Sequence, residues 1–94
     1  MEFAIFPTDK GESVSKYISK VIKMIDDSAI KYQLTPMGTI IETQTLQEAL
    51  KVIDNSYKIL KPYSNRVYAT VKFDIRKNRT DAINSKIKSI KSKL

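Results

Sequence analysis

From Val67 to Ile75 the chain alternates without a break: Val67, Ala69, Val71, Phe73 and Ile75 are apolar, while Tyr68, Thr70, Lys72 and Asp74 stand between them. Successive side chains of a strand point to opposite faces, so this run predicts a strand with one dry and one wet side. The dry side takes Val67, Ala69, Val71 and Phe73. The wet side shows Tyr68, Thr70, Lys72 and Asp74. Any fold for this chain must therefore cover one face of a sheet and leave the other open.

The other segments fill in around that strand. Phe3-Ala4-Ile5-Phe6 is a short apolar run closed by Pro7, which suits a central strand. Phe3 and Ile5 take one side, Ala4 and Phe6 the other. Thr8 to Glu12 reads as a loop. Val14, Ile18, Val21, Ile22 and Ile25 then recur at helical spacing, with Ser13 as the expected N-cap. Asp26-Asp27-Ser28 ends that helix. Tyr32 to Thr35 and Thr39 to Thr43 read as two strands joined at Pro36-Met37-Gly38. Thr45-Leu46-Gln47-Glu48 has the form of a capping box. It opens a second helix whose buried stripe is expected to be Leu46, Ala49, Leu50, Ile53, Tyr57 and Leu60. A last helix is expected over about 81–93, capped by Thr80, with a narrow stripe of Ile83, Ile87, Ile90 and Leu94. That helix is expected to dock on the sheet edge or on another subunit.

The order β-α-β-β-α-β plus a helix predicts an α+β, ferredoxin-like domain spanning residues 1–94: one antiparallel sheet with two helices on one face. On the open face Phe6 would lie near Tyr68, giving a surface half apolar and half polar. Such a surface suits an interface or a ligand platform.

Composition narrows the chemistry. The 94 residues contain no cysteine and no histidine, which removes thiolate metal sites, disulfides and the commonest general base. The net charge is +7, but residues 1–74 carry ten basic and nine acidic side chains. The excess sits in residues 75–94, with seven basic side chains against Asp81 alone. The amino-terminal segment lacks the form of a signal peptide and no apolar stretch reaches membrane-spanning length, so a cytoplasmic protein is expected.

Three segments resemble the small YkoF-like thiamine-binding proteins. One is Tyr32-Gln33-Leu34-Thr35-Pro36-Met37-Gly38-Thr39 followed by Glu42. A second is Gly11-Glu12-Ser13-Val14-Ser15-Lys16-Tyr17-Ile18. The third is Arg66-Val67-Tyr68 with Phe73-Asp74 and Arg76. The family pattern has paired aspartates before that arginine; here Ile75 follows Asp74. The resemblance implies a ferredoxin-like fold and a homo-oligomer, either a dimer or a tetramer built from dimers. It implies binding of thiamine or its hydroxymethylpyrimidine portion without catalysis, and no required cofactor beyond that ligand.

Under that implication the ligand-binding candidates are Tyr32, Thr35, Met37, Thr39, Glu42 and Tyr68. A carboxylate such as Glu42 suits an exocyclic amine or a cation, and the two threonine hydroxyls can donate or accept. The tyrosine rings suit a flat cation, and Met37 can cover a ring. Each also has an ordinary reading. Threonines are good strand formers, tyrosines pack half-buried, Met37 fills a gap, and Glu42 pairs with a cross-strand lysine such as Lys72. Arg66, Asp74 and Arg76 suit ion pairs within or between subunits and contact with a ligand equally well.

Other functions fit less well. RNA-recognition modules of this strand order need a basic-aromatic run on a central strand, and Val67 to Ile75 offers only Tyr68. Weak, non-specific RNA binding through the C-terminal lysines is the form that nucleic-acid contact would take. Acylphosphatase-like chemistry needs an arginine in the loop from Pro7 to Glu12, which has none. A structural or regulatory oligomeric module is the remaining alternative.

Overall fold

A computed structural model describes residues 1–77 and 82–94. Strand β1 is Glu2–Pro7, helix α1 Val14–Asp27, β2 Lys31–Thr35, β3 Gly38–Glu42, α2 Leu46–Leu60, β4 Val67–Lys72 and α3 Ala82–Ser92. The four strands form one sheet in the order β2-β3-β1-β4, antiparallel throughout. This is the ferredoxin-like arrangement with an added helix. The expected cap Thr80 and start Asp81 of the last helix lie outside the described residues.

The core lies between the sheet and helices α1 and α2. Phe3, Ile5 and Ile41 face Val21 and Ile25 of α1 and Ala49, Val52 and Leu60 of α2. Pro7 is accommodated by the sheet's own geometry. Thr8 N–H donates to the Arg66 carbonyl at 3.0 Å, so alternation turns the Pro7 nitrogen away from β4. On that side β3 has already ended, and no ladder bond is missed.

Several local expectations need correction. Ser13 does not cap α1: a 3-10 turn over Gly11–Ser13 runs straight into the helix, and Ser13 at φ −84°, ψ 6° makes no capping bond. A capping hydroxyl needs an extended backbone, which Ser13 lacks. The Thr45 cap does form, with the Glu48 N–H donating to the Thr45 hydroxyl at 3.1 Å. Glu48 closes the box by accepting from that hydroxyl at 3.0 Å instead of from a backbone N–H.

Helix α2 is rotated from the expected stripe. It buries Ala49, Val52, Ser56 and Leu60, while Leu46, Leu50 and Tyr57 are exposed. Ser56 is tolerated because its hydroxyl donates to the Val52 carbonyl at 2.6 Å, leaving no unpaired polar group in the core.

The last strand stops at Lys72 instead of Ile75. Among the described residues its neighbour in the sheet is β1, and β1 begins at Glu2, opposite Lys72. Beyond that point no described strand lies beside it. Edge position also explains why Ala69 and Phe73 are exposed although alternation puts them on the covered side. Helix α1 ends through Ala29, which takes φ 57° in the left-handed region usually left to glycine.

Helix α3 does not sit on the sheet edge. It contacts the inner strand β3, with Ile83 and Ile87 half-buried against the open face. Ile90 and Leu94 extend beyond it, exposed.

Candidate functional site

Backbone register decides which side chains share the open face. Across the sheet, Gln33 pairs with Ile40, Ile40 with Glu2, and Glu2 with Lys72. Directly opposed residues point the same way. The four therefore form a row, amide, apolar, carboxylate, ammonium, running from β2 to β4. Helix α3 crosses above this row. Between them lies a cavity of about 570 Å³, with Ile83, Lys86 and Ile87 on its helical side. Sites for small organic ligands span about 300–1,000 Å³.

The segment after β4 closes one flank. Asp74 accepts hydrogen bonds from Lys86 of α3 and from Arg76 Nε, the latter at 3.3 Å. These bonds, the Lys86 one foremost, hold the Asp74 carboxyl below its ordinary range. The other flank carries Glu42, whose carboxylate lies 3.8 Å from Lys31 Nζ on the facing strand. The cross-strand lysine partner is thus Lys31 and not Lys72. The Met1 ammonium donates to the Ile41 carbonyl at 2.9 Å, and burial lowers its pKa from the usual 8.0.

The six residues singled out from the sequence are dispersed. Glu42 lines the cavity. Tyr68 shares the open face but sits opposite Phe6, with ring centroids 5.7 Å apart. The register separates it from Glu42 by about six strand residues, roughly 20 Å. Thr39 pairs with Phe3 on the helix-covered side and is 7% exposed. Tyr32 is on that side too, opposite Ile41. Its hydroxyl donates to Asp26 at 3.0 Å, which raises its pKa from the usual 10.0. Thr35 works inside the hairpin turn: its hydroxyl donates to the Gly38 carbonyl at 2.9 Å and accepts from the N–H groups of Met37 and Gly38. Its one donor and both lone pairs are taken. Met37 stands at the tip, 84% exposed.

Glu2, Gln33 and Ile40 line the cavity and were not singled out. Their signal was present but faint. Gln33 is in the opposite phase to Tyr32 and Leu34, and Glu2 continues the phase of Ala4 and Phe6. Phase alone does not reveal which open-face residues a helix will roof over. Among the described residues no cluster of carboxylates suits a metal ion, and no helix is long and apolar enough to cross a membrane.

Comparison with known proteins agrees with the fold. Residues 1–91 match the profile of the family described as "Thiamine-binding protein". The UPF0045 protein MJ1052 of Methanocaldococcus jannaschii is 35% identical over 89 residues, covering 95% of this chain and 88% of that one. The UPF0045 protein YqgV of Bacillus subtilis is 34% identical over 89 residues, covering 87% and 83%. The crystal structure of MJ1052 superposes with a TM-score of 0.84 over 96% of this chain and 92% of its own. A Bacillus cereus domain of unknown function shares the fold at a TM-score of 0.78 and 22% identity, covering 92% and 83%. The chain belongs to the thiamine-binding protein family.

Proposed function

We propose that this protein binds thiamine or its hydroxymethylpyrimidine portion, without chemical conversion, in the cavity between the open sheet face and α3. The observation that carries the reading is the row Gln33–Ile40–Glu2 beneath a half-enclosed cavity, in a chain matched over residues 1–91 to a family so described. An aminopyrimidine ring laid flat on Ile40 presents its amine to a carboxylate on one side and a ring nitrogen to the Gln33 amide on the other. Glu2 and Glu42 both suit the amine. The chain offers no cysteine or histidine to act as nucleophile or general base.

Calorimetric titration with thiamine and with hydroxymethylpyrimidine tests this directly. Heat with a one-to-one endpoint is expected, and Gln33→Ala is expected to weaken it. A flat titration at millimolar ligand, on protein with a normal circular dichroism spectrum, would sink the reading.

The same proposal includes self-association in the cytoplasm. Leu34, Leu50 and Tyr57 are exposed, as are Phe6 and Tyr68 on the uncovered end of the open face. Ile90 of α3 and Leu94 beyond its end are exposed apolar side chains as well. A monomeric mass by light scattering at working concentration would refute association. A mass unchanged by removal of residues 80–94 would refute a part for α3 in it.

A further inference from the structure

The charges lining the cavity are not evenly partnered. Glu42 lies by Lys31, and Asp74 holds both Arg76 and Lys86. Glu2 and Lys72 face each other across β1 and β4, yet among the described residues neither side chain makes a hydrogen bond or ion pair. The lining holds four cations, the Met1 ammonium, Lys72, Arg76 and Lys86, against the carboxylates of Glu2, Glu42 and Asp74, and the positive excess is concentrated on the β4 and α3 side where Lys72, Arg76 and Lys86 gather. The β1 and β3 side offers the carboxylate of Glu2, which no side chain among the described residues pairs with and to which the Met1 ammonium is a minor electrostatic neighbour. A bare organic cation would find its acceptor at Glu2 but would meet uncompensated ammonium charge immediately beside it.

Resting on the reading above, we propose that the ligand is an aminopyrimidine bearing a phosphate ester next to its amine, with Glu2 taking the amine and Lys72 the phosphate. Opposed residues in a hydrogen-bonded antiparallel pair have Cα atoms about 5.5 Å apart. That spacing suits functional groups on neighbouring ring carbons, which is how hydroxymethylpyrimidine phosphate carries its amine and its phosphomethyl arm. Thiamine monophosphate fits less well. Its phosphate is separated from the pyrimidine amine by the whole thiazolium ring, and the thiazolium charge would be brought towards Lys72 and Lys86. Arg76 and Lys86 lie on the phosphate side, and between them Asp74 neutralises only one charge. The ligand thus completes a pairing that the protein leaves open.

Titration calorimetry at low salt with four probes tests this: hydroxymethylpyrimidine, its phosphate ester, thiamine monophosphate and inorganic phosphate. The proteins are the wild type, Lys72→Met and Lys93→Gln. The ester is expected to bind the wild type at least about tenfold tighter than the free alcohol, the scale of one charge-assisted hydrogen bond. Lys72→Met abolishes that preference while keeping affinity for the alcohol. Lys93→Gln removes an equal charge from outside the cavity and keeps the preference. Equal affinity for ester and alcohol overturns the proposal but leaves the binding function standing. So does a preference that survives Lys72→Met, or inorganic phosphate binding as tightly as the ester. If neither ester nor alcohol binds, the proposal falls, and the binding function falls with it only if the thiamine titration is flat as well.

Discussion

The two faces of the sheet are made from the same four strands, and they handle their side chains in opposite ways. On the covered face, Phe3, Ile5 and Ile41 meet two helices and are almost wholly buried. Even the polar groups there are committed to the fold: Tyr32 binds Asp26, and Thr39 sits beneath the helices. On the open face a single short helix crosses one end of the sheet. Ile40 has a cavity above it instead of a layer. Glu2 and Lys72 make no side-chain hydrogen bond or ion pair among the described residues, and the Phe6 and Tyr68 rings lie tilted beside each other in the open. The contrast separates residues that hold the molecule together from residues available to a second molecule.

The sharpest way to break that contrast is truncation on both faces. Ile25 is 0% exposed, and Ile25→Ala is expected to cost about 2–5 kcal/mol in urea unfolding, as for other buried large-to-small changes. Ile40→Ala is expected to cost less than half as much, because its neighbour is a cavity. Equal losses would mean that the open face is as well packed as the core. Next in size is Gly38→Ala. A methyl there would stand 2.7 Å from the Phe3 carbonyl oxygen, so β1 or the hairpin must shift, at about 1–3 kcal/mol. A neutral result would show that the β1–β3 seam yields freely.

A smaller effect of opposite sign is expected at Ala29. Its left-handed backbone costs a non-glycine residue about 1–2 kcal/mol, so Ala29→Gly should raise the unfolding midpoint by up to about 1 kcal/mol of stability, once the extra freedom of the unfolded chain is counted. The smallest effect concerns α3. Asp74 is held below its usual 3.8 by Lys86 first and Arg76 second. A carboxyl lowered by folding adds stability above its ordinary pKa and loses it as the pH falls through the depressed value. The Ile83 and Ile87 methyl resonances should therefore stay constant from pH 7 to about pH 5 and shift below 3.8. Asp74→Asn should show the acid-like spectrum at neutral pH. Methyl shifts indifferent to both changes would remove Asp74 from the docking of α3.

Much of the covered face was legible in the sequence because burial leaves a periodic trace. Phe3, Ile5, Val21 and Ile25 follow directly from periods of two and 3.6. The rotation of α2 was not, because hydrophobicity favours Leu50 over Ser56. Only the internal bond of Ser56 to Val52 makes the opposite choice affordable. The candidate site was less legible. Glu42 stood out as a lone carboxylate, but Thr35 and Thr39 looked the same as open-face threonines until register and hydrogen bonds assigned them elsewhere. Glu2 and Lys72 lie seventy positions apart and become neighbours only through the pairing of β1 with β4. No local pattern announces that α3 folds back across them.

That long-range pairing has a consequence during synthesis. Strand β1 leaves the ribosome before β4 and must wait for it before its second edge is closed. At about 5–20 residues per second the interval is roughly 4–14 seconds. For that time the nascent chain can assemble β1, β2 and β3 with both helices, but presents the unpaired edge of β1, with its apolar Phe3, Ile5 and Phe6, to whatever is nearby. The pair Glu2–Lys72 is where that edge finally seals, so the growing protein completes the floor of its open-face cavity in the same event that removes its stickiest border.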